Sequence, residues 1–134
     1  MIVKTGGVIL RACLRRVIDL YKTETAKLNH FIMWSRIVEM IKANDPRTIA
    51  KIKVSVLEEC FKDTPKMVNN CFLCEEYAIY TGDIRGMDCS KCILLQKNYS
   101  CSDYRSWYQK LIYYTTGGSD ESINLAKKIR DCVL

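Results

Sequence analysis

Residues 71–92 read Cys71-Phe-Leu-Cys74-Glu-Glu-Tyr-Ala-Ile-Tyr80-Thr-Gly-Asp-Ile-Arg-Gly86-Met-Asp-Cys89-Ser-Lys-Cys92, and the two C-x2-C pairs in this stretch govern how the rest of the chain is read. In such a pair the intervening residues form a tight turn, so both sulfurs converge on one ion while backbone amides point at the thiolates. Two pairs separated by fourteen residues supply the four-sulfur tetrahedron that zinc prefers in a closed structural site. Cys71, Cys74, Cys89 and Cys92 are therefore the candidate Zn2+ ligands. Between them, residues 75–80 are expected to form one strand and residues 81–83 a turn toward residues 85–87, giving a short zinc-ribbon-like or zinc-knuckle module. Cys101 lies nine residues beyond Cys92 and is left open as a substitute ligand for Cys92 or Cys89. It also leaves an iron–sulfur cluster open, as a fifth thiolate. Reduced core cysteines remain a further alternative. A redox pair would sit at the start of a helix after a strand in an alternating α/β chain, and this sequence shows no such alternation.

Composition sets the surroundings of that site. With 134 residues, 49% of them hydrophobic and 27% charged, the chain has the make-up of one folded domain with its own core. No apolar run approaches the roughly 20 residues that cross a bilayer, because Arg11, Arg15, Arg16 and Asp19 interrupt the first one. Arg11 likewise spoils residues 8–14 as a secretory signal core. Five of the eight cysteines fall between Cys71 and Cys101, which suits a metal site in a reducing cytoplasm better than a disulfide framework. Four thiolate charges, offset by the metal's two, would bring the formal +6 to +4, modest for this length.

Around the cysteines the pattern is helical, so the expected fold is mainly α: a helical bundle with the zinc module inserted. The single domain 1–134 divides into N-terminal helices (1–66), zinc module (67–101) and C-terminal helices (102–134). Leu10, Leu14, Val17 and Tyr21 recur at helical spacing, as do Leu28, Phe31, Trp34, Val38 and Ile41. The polar residues 22–27 between them imply either a break near residues 23–25 or one long helix with an exposed middle. Asn44-Asp45-Pro46 predicts a cap and first turn for a second helix with Ile49, Ile52, Val56 and Cys60 on its buried face. Ser102-Asp103 is expected to cap a helix with Tyr104, Trp107, Tyr108 and Leu111 on one side. Gly117-Gly118 ends it, and Ser119-Asp120 caps a last helix carrying Ile123 and Val133.

The run from Cys71 to Trp107 holds C-x2-C, a variable loop, C-x2-C followed by Ile93-Leu94, then Cys101, Tyr104 and Trp107. In these features it resembles the cysteine-rich segment of small uncharacterised proteins encoded by tailed bacteriophages. It departs from them at Ile93, where a proline often follows the fourth cysteine. The resemblance implies metal binding and a host-cell cytoplasm for a viral protein, and it implies no activity.

Nothing in the residues composes a catalytic site. Four thiolates close the metal's coordination sphere and leave no position for substrate water. His30 is the only histidine and has no partner for a dyad. Gly6-Gly7 lacks the glycines and lysine of a phosphate loop. Cys13, Cys60 and Cys132 fall on the apolar sides of their helices, as small buried hydrophobes do. The chain is read as no enzyme, with redox-active cysteines as the exception. Two binding functions remain. Tyr99, Tyr104, Trp107, Tyr108, Tyr113 and Tyr114 crowd into sixteen positions, and one stripe cannot bury them all. Trp107, Tyr108, Tyr113 and Tyr114 are thus candidates for a protein-partner surface, as in a phage-encoded modulator of a host protein. The alternative is a nucleic-acid-binding zinc protein, an accessory factor in transcription or DNA processing, using Arg85, Lys91, Lys97 and Lys110. Glu75, Glu76, Asp83 and Asp88 in the same segment oppose that charge.

Overall fold

The computed structural model describes residues 7–62, 71–77, 79–80, 87–88, 92–99, 101, 103–113 and 118–134, and within these the side chains of residues 24–62, 71–74, 76, 92–99, 101, 103–113 and 118–134. Polar residues 22–27 do not break the first helix: α1 runs without interruption over Gly7–Lys42. Its described buried residues are Ala26, His30, Met33, Trp34, Ile37, Val38, Met40 and Ile41. Trp34, Val38 and Ile41 face the core as expected, but the stripe is wider than expected and departs from it at Leu28, which is 59% exposed while His30 points inward.

The junction after α1 corrects the expected capping. Asn44 takes φ 58°, Asp45 N–H bonds to Met40 O at 3.1 Å, and Asn44 N–H to Ile41 O at 3.0 Å. These are the two bonds of a Schellman ending, so Asn44 and Asp45 finish α1 and do not start its successor. Asp45 turns its carboxylate onto the Arg47 amide at 3.0 Å and onto the Arg47 guanidinium at 2.6 Å. The cap of α2, Ile49–Cys60, is Thr48, whose hydroxyl accepts from Lys51 N–H at 3.3 Å. Ile52 and Val56 face the core as expected, whereas Cys60 is exposed.

Of the strand expected over residues 75–80, residues 75–77 belong instead to a helix, and only residues 79–80 are strand. Helix α3, Phe72–Tyr77, sends Phe72 into one cluster and Leu73 into another, and these two burials override the strand-like pattern of residues 75–77. Two short strands follow, β1 (Ile79–Tyr80) and β2 (Met87–Asp88), paired antiparallel with Ile79 opposite Asp88 and Tyr80 opposite Met87. Helix α4 is Ile93–Lys97. Helix α5, Trp107–Tyr113, begins later than the expected cap at residues 102–103. Asp103 is held instead in a local turn, accepting from the Arg105 amide at 2.8 Å, and Ser106 Oγ accepts from Gln109 N–H at 3.1 Å at the true start. Helix α6, Asp120–Asp131, has the expected cap, with Ser119 Oγ accepting from Ser122 N–H at 3.1 Å.

The protein is mainly helical, and α1 is the element against which α2, α3 and α6 pack. The larger core joins Met33, Trp34, Ile37 and Ile41 to Ile52 and Val56, Phe72, Leu111, and Leu125 and Ile129. Each such fully buried side chain contributes about 1.5–3 kcal/mol relative to exposure. A smaller cluster holds Leu73, Cys92, Leu94 and Cys132, with Cys71, Cys101 and Trp107 packed on it. Trp107 touches both clusters and welds them. Among the described residues no helix is long and apolar enough to cross a membrane.

Candidate metal centre

The cysteines are gathered by helix ends. Cys71 stands just ahead of α3, half-buried, and its Sγ accepts the N–H of Cys74 at 3.4 Å. A hydrogen bond from the Cys74 thiol holds Cys71 well below the usual thiol range, against the effect of burial; the Lys53 charge and the amides of Cys74 and Leu73 add to it. Cys74 is pushed up correspondingly by giving its proton to that bond, by burial, and by the neighbouring Cys71, Cys101 and Cys92. Cys92 is the N-cap residue of α4 and is buried, which raises its thiol; the amides of Leu95 and Leu94 oppose the rise, although no capping hydrogen bond of ordinary length reaches the sulfur.

Two further thiols reach the same place. Cys101 is half-buried against the smaller cluster, and its carbonyl accepts from Gln109 Nε2 at 2.7 Å, which ties this loop to α5. Cys132, at the end of α6, is buried and pushed up to about 12, by burial first and then by the nearby Cys92. Spacing could not reveal Cys132, which is forty residues beyond Cys92 and joins the cluster only through packing. The six cysteines with described side chains, Cys60, Cys71, Cys74, Cys92, Cys101 and Cys132, form no disulfide with one another.

Cys71, Cys74 and Cys92 are thus neighbours of one another and of Cys101, while Cys89 lies outside the described residues, as do Arg85, Lys91 and Tyr114. Among the described residues no three histidine, cysteine, aspartate or glutamate side chains converge tightly enough to hold a metal ion.

The aromatic candidates divide. Trp107 is half-buried, and its main-chain N–H donates to Asn98 Oδ1 at 2.9 Å. Tyr108 is also half-buried, meeting Trp34 edge-on with ring centroids 6.1 Å apart. Tyr113, by contrast, is 70% exposed, as is Tyr104, and Tyr99 is 41% exposed. The Arg105 guanidinium lies 4.1 Å from the Tyr99 ring centre.

The buried residue that sequence reasoning missed is Lys53. It is 7% exposed, its Nζ donates to the Tyr108 hydroxyl at 3.3 Å, and it lies 4.9 Å from the Tyr108 ring centre and 6.0 Å from that of Trp34. Its position one residue after Ile52 and three before Val56, on the inward stripe of α2, was the available signal. His30 is a core residue: its Nε2–H donates to Ile129 O at 2.7 Å. The chain matches no protein family, no curated protein and no solved structure.

Proposed function

We propose that the chain is a small zinc-stabilised helical protein that acts by binding another protein, as a phage-encoded modulator of a host-cell protein in the cytoplasm would. The observation that carries this reading is the exposure of Tyr99, Tyr104 and Tyr113 on the C-terminal segment, beside Trp107 and Tyr108, which are half-buried against the core. Tyrosine rings offer large contact area for little lost side-chain freedom, and rigid neighbours reduce that loss further. Zinc on Cys71, Cys74, Cys89 and Cys92 would hold the segment that presents them. The C-x2-C spacing, the Cys74 amide on the Cys71 sulfur and the placing of Cys101 beside the same cluster support that role. With four thiolates the ion has no open position, so its part is structural.

The test compares the unaltered chain with a Y104S/Y113S variant, cross-linked in the cells that produce them. The unaltered chain is expected to be recovered with one defined partner and the variant without it, both with the same helical circular dichroism. Recovery of the same partner with the variant would remove the tyrosine surface from the reading.

A further inference from the structure

Thirty residues separate Lys97 from Lys127, and folding removes that separation. Asn124, Lys127, Lys128 and Asp131 fall at i, i+3, i+4 and i+7, on one face of α6. Lys97, at the last turn of α4, and Trp107, at the first turn of α5, complete an open pocket of about 490 Å³ with them. Three lysines therefore line one concavity. Among the described lining residues the one carboxylate, Asp131, is engaged by Arg130, whose Nε donates to Asp131 Oδ1 at 2.7 Å. Lys97 is anchored, since its Nζ donates to the Leu134 main-chain oxygen at 3.1 Å. Trp107 is anchored too, through the Asn98 bond to its amide.

The lining specifies the ligand's chemistry. Three clustered lysines call for an anion with several oxygens, and the indole beside them calls for a flat ring. A nucleotide unit has both, and a pocket of this order of size holds one. Two residues beyond Lys97, Tyr99 carries the Arg105 guanidinium over its ring, with Asp103 paired to that guanidinium and the exposed Tyr104 5.7 Å from it. Rings interleaved with cations along a path are what single-stranded nucleic acid uses, base on ring and phosphate on lysine. An acidic peptide would use the lysines and leave the indole without a role.

We infer that this pocket binds single-stranded nucleic acid, taking a backbone phosphate on Lys97, Lys127 and Lys128 and a base against Trp107. The inference goes beyond the protein-binding reading and depends on neither the metal nor the protein partner.

The experiment is fluorescence anisotropy of a short dye-labelled oligothymidylate titrated with the full chain over a range of salt concentrations. Binding is expected to saturate, to quench tryptophan emission, and to weaken with a log–log salt slope of about 2 from these three lysines. The K97Q/K127Q/K128Q variant should bind about tenfold or more weakly and lose most of that slope, with K97Q and K128Q alone each giving a partial loss. Absence of binding at low salt, or equal binding by the folded triple variant, would overturn the inference. So would equal affinity for a glutamate peptide of matched length, which would assign the pocket to an acidic protein segment. Equal affinity for ATP would assign it to a free nucleotide and overturn the strand.

Discussion

At the scale of single residues, His30 joins the first long helix to the last. Its Nε2–H is committed to the Ile129 carbonyl, Cys132 Sγ lies 3.6 Å from the same nitrogen, and among the described residues Nδ1 has no partner. Burial pushes its pKa down from 6.5 to about 4; the Ile129 bond opposes this and the Lys53 charge adds to it. The unfolded chain therefore binds a proton that the folded chain refuses between about pH 6.5 and 4, and stability falls as pH drops through that window. The loss should reach roughly 2–4 kcal/mol, since each pKa unit is worth about 1.4 kcal/mol. Urea midpoints measured across this range should show it, and H30Q, which keeps a donor for Ile129 but cannot titrate, should flatten it. An unchanged slope in H30Q would show that other groups set the acid sensitivity.

Among the elements, the connections carry more specificity than the helices. Asn44 ends α1 in the left-handed region, and Gly118, before α6, takes φ 80° with its Cα turned toward the Asn44 side chain. A Cβ at residue 118 would be strained by that backbone angle and would collide with Asn44 Oδ1. G118A should therefore lower unfolding free energy by about 1–2 kcal/mol, read from chemical denaturation, with the helices otherwise intact. The existence of α1, α2, α5 and α6 was legible because apolar residues at spacings of three and four require a buried stripe. The start of α2 was not, because Asn44 and Asp45 suit an N-cap as well as the Schellman ending they make, and only Thr48 reaches the Lys51 amide. Residues 75–77 misled for another reason. Their strand-like pattern is local and holds only at residues 79–80, whereas the helix they join is fixed by Phe72 and Leu73, which are claimed by two clusters built from distant helices. The candidate site was half legible: C-x2-C spacing marks Cys71, Cys74 and Cys92, but Cys132 and Lys53 arrive by tertiary packing that no short motif encodes.

For the whole molecule, the proposed metal should tie the segment after α3 to the body. The purified chain is expected to carry one zinc ion by native mass spectrometry. A chelator should then lower its thermal midpoint, because an ion present at a hundredfold excess over its Kd contributes about 2.7 kcal/mol. C71S and C92S should lose both the ion and the chelator response. C60S should lose neither, its thiol being exposed at the end of α2. A metal-free protein, or one indifferent to chelation, would leave the thiols as core residues.

The bond from His30 to Ile129 spans 99 positions of the chain. A ribosome adding about 5–20 residues per second needs roughly 5–20 s to synthesise that interval. For that time the inward stripe of α1 is without the helix that covers Met33 and Ile37. Truncation within α6 should therefore leave that stripe uncovered and divert the chain to aggregation or proteolysis.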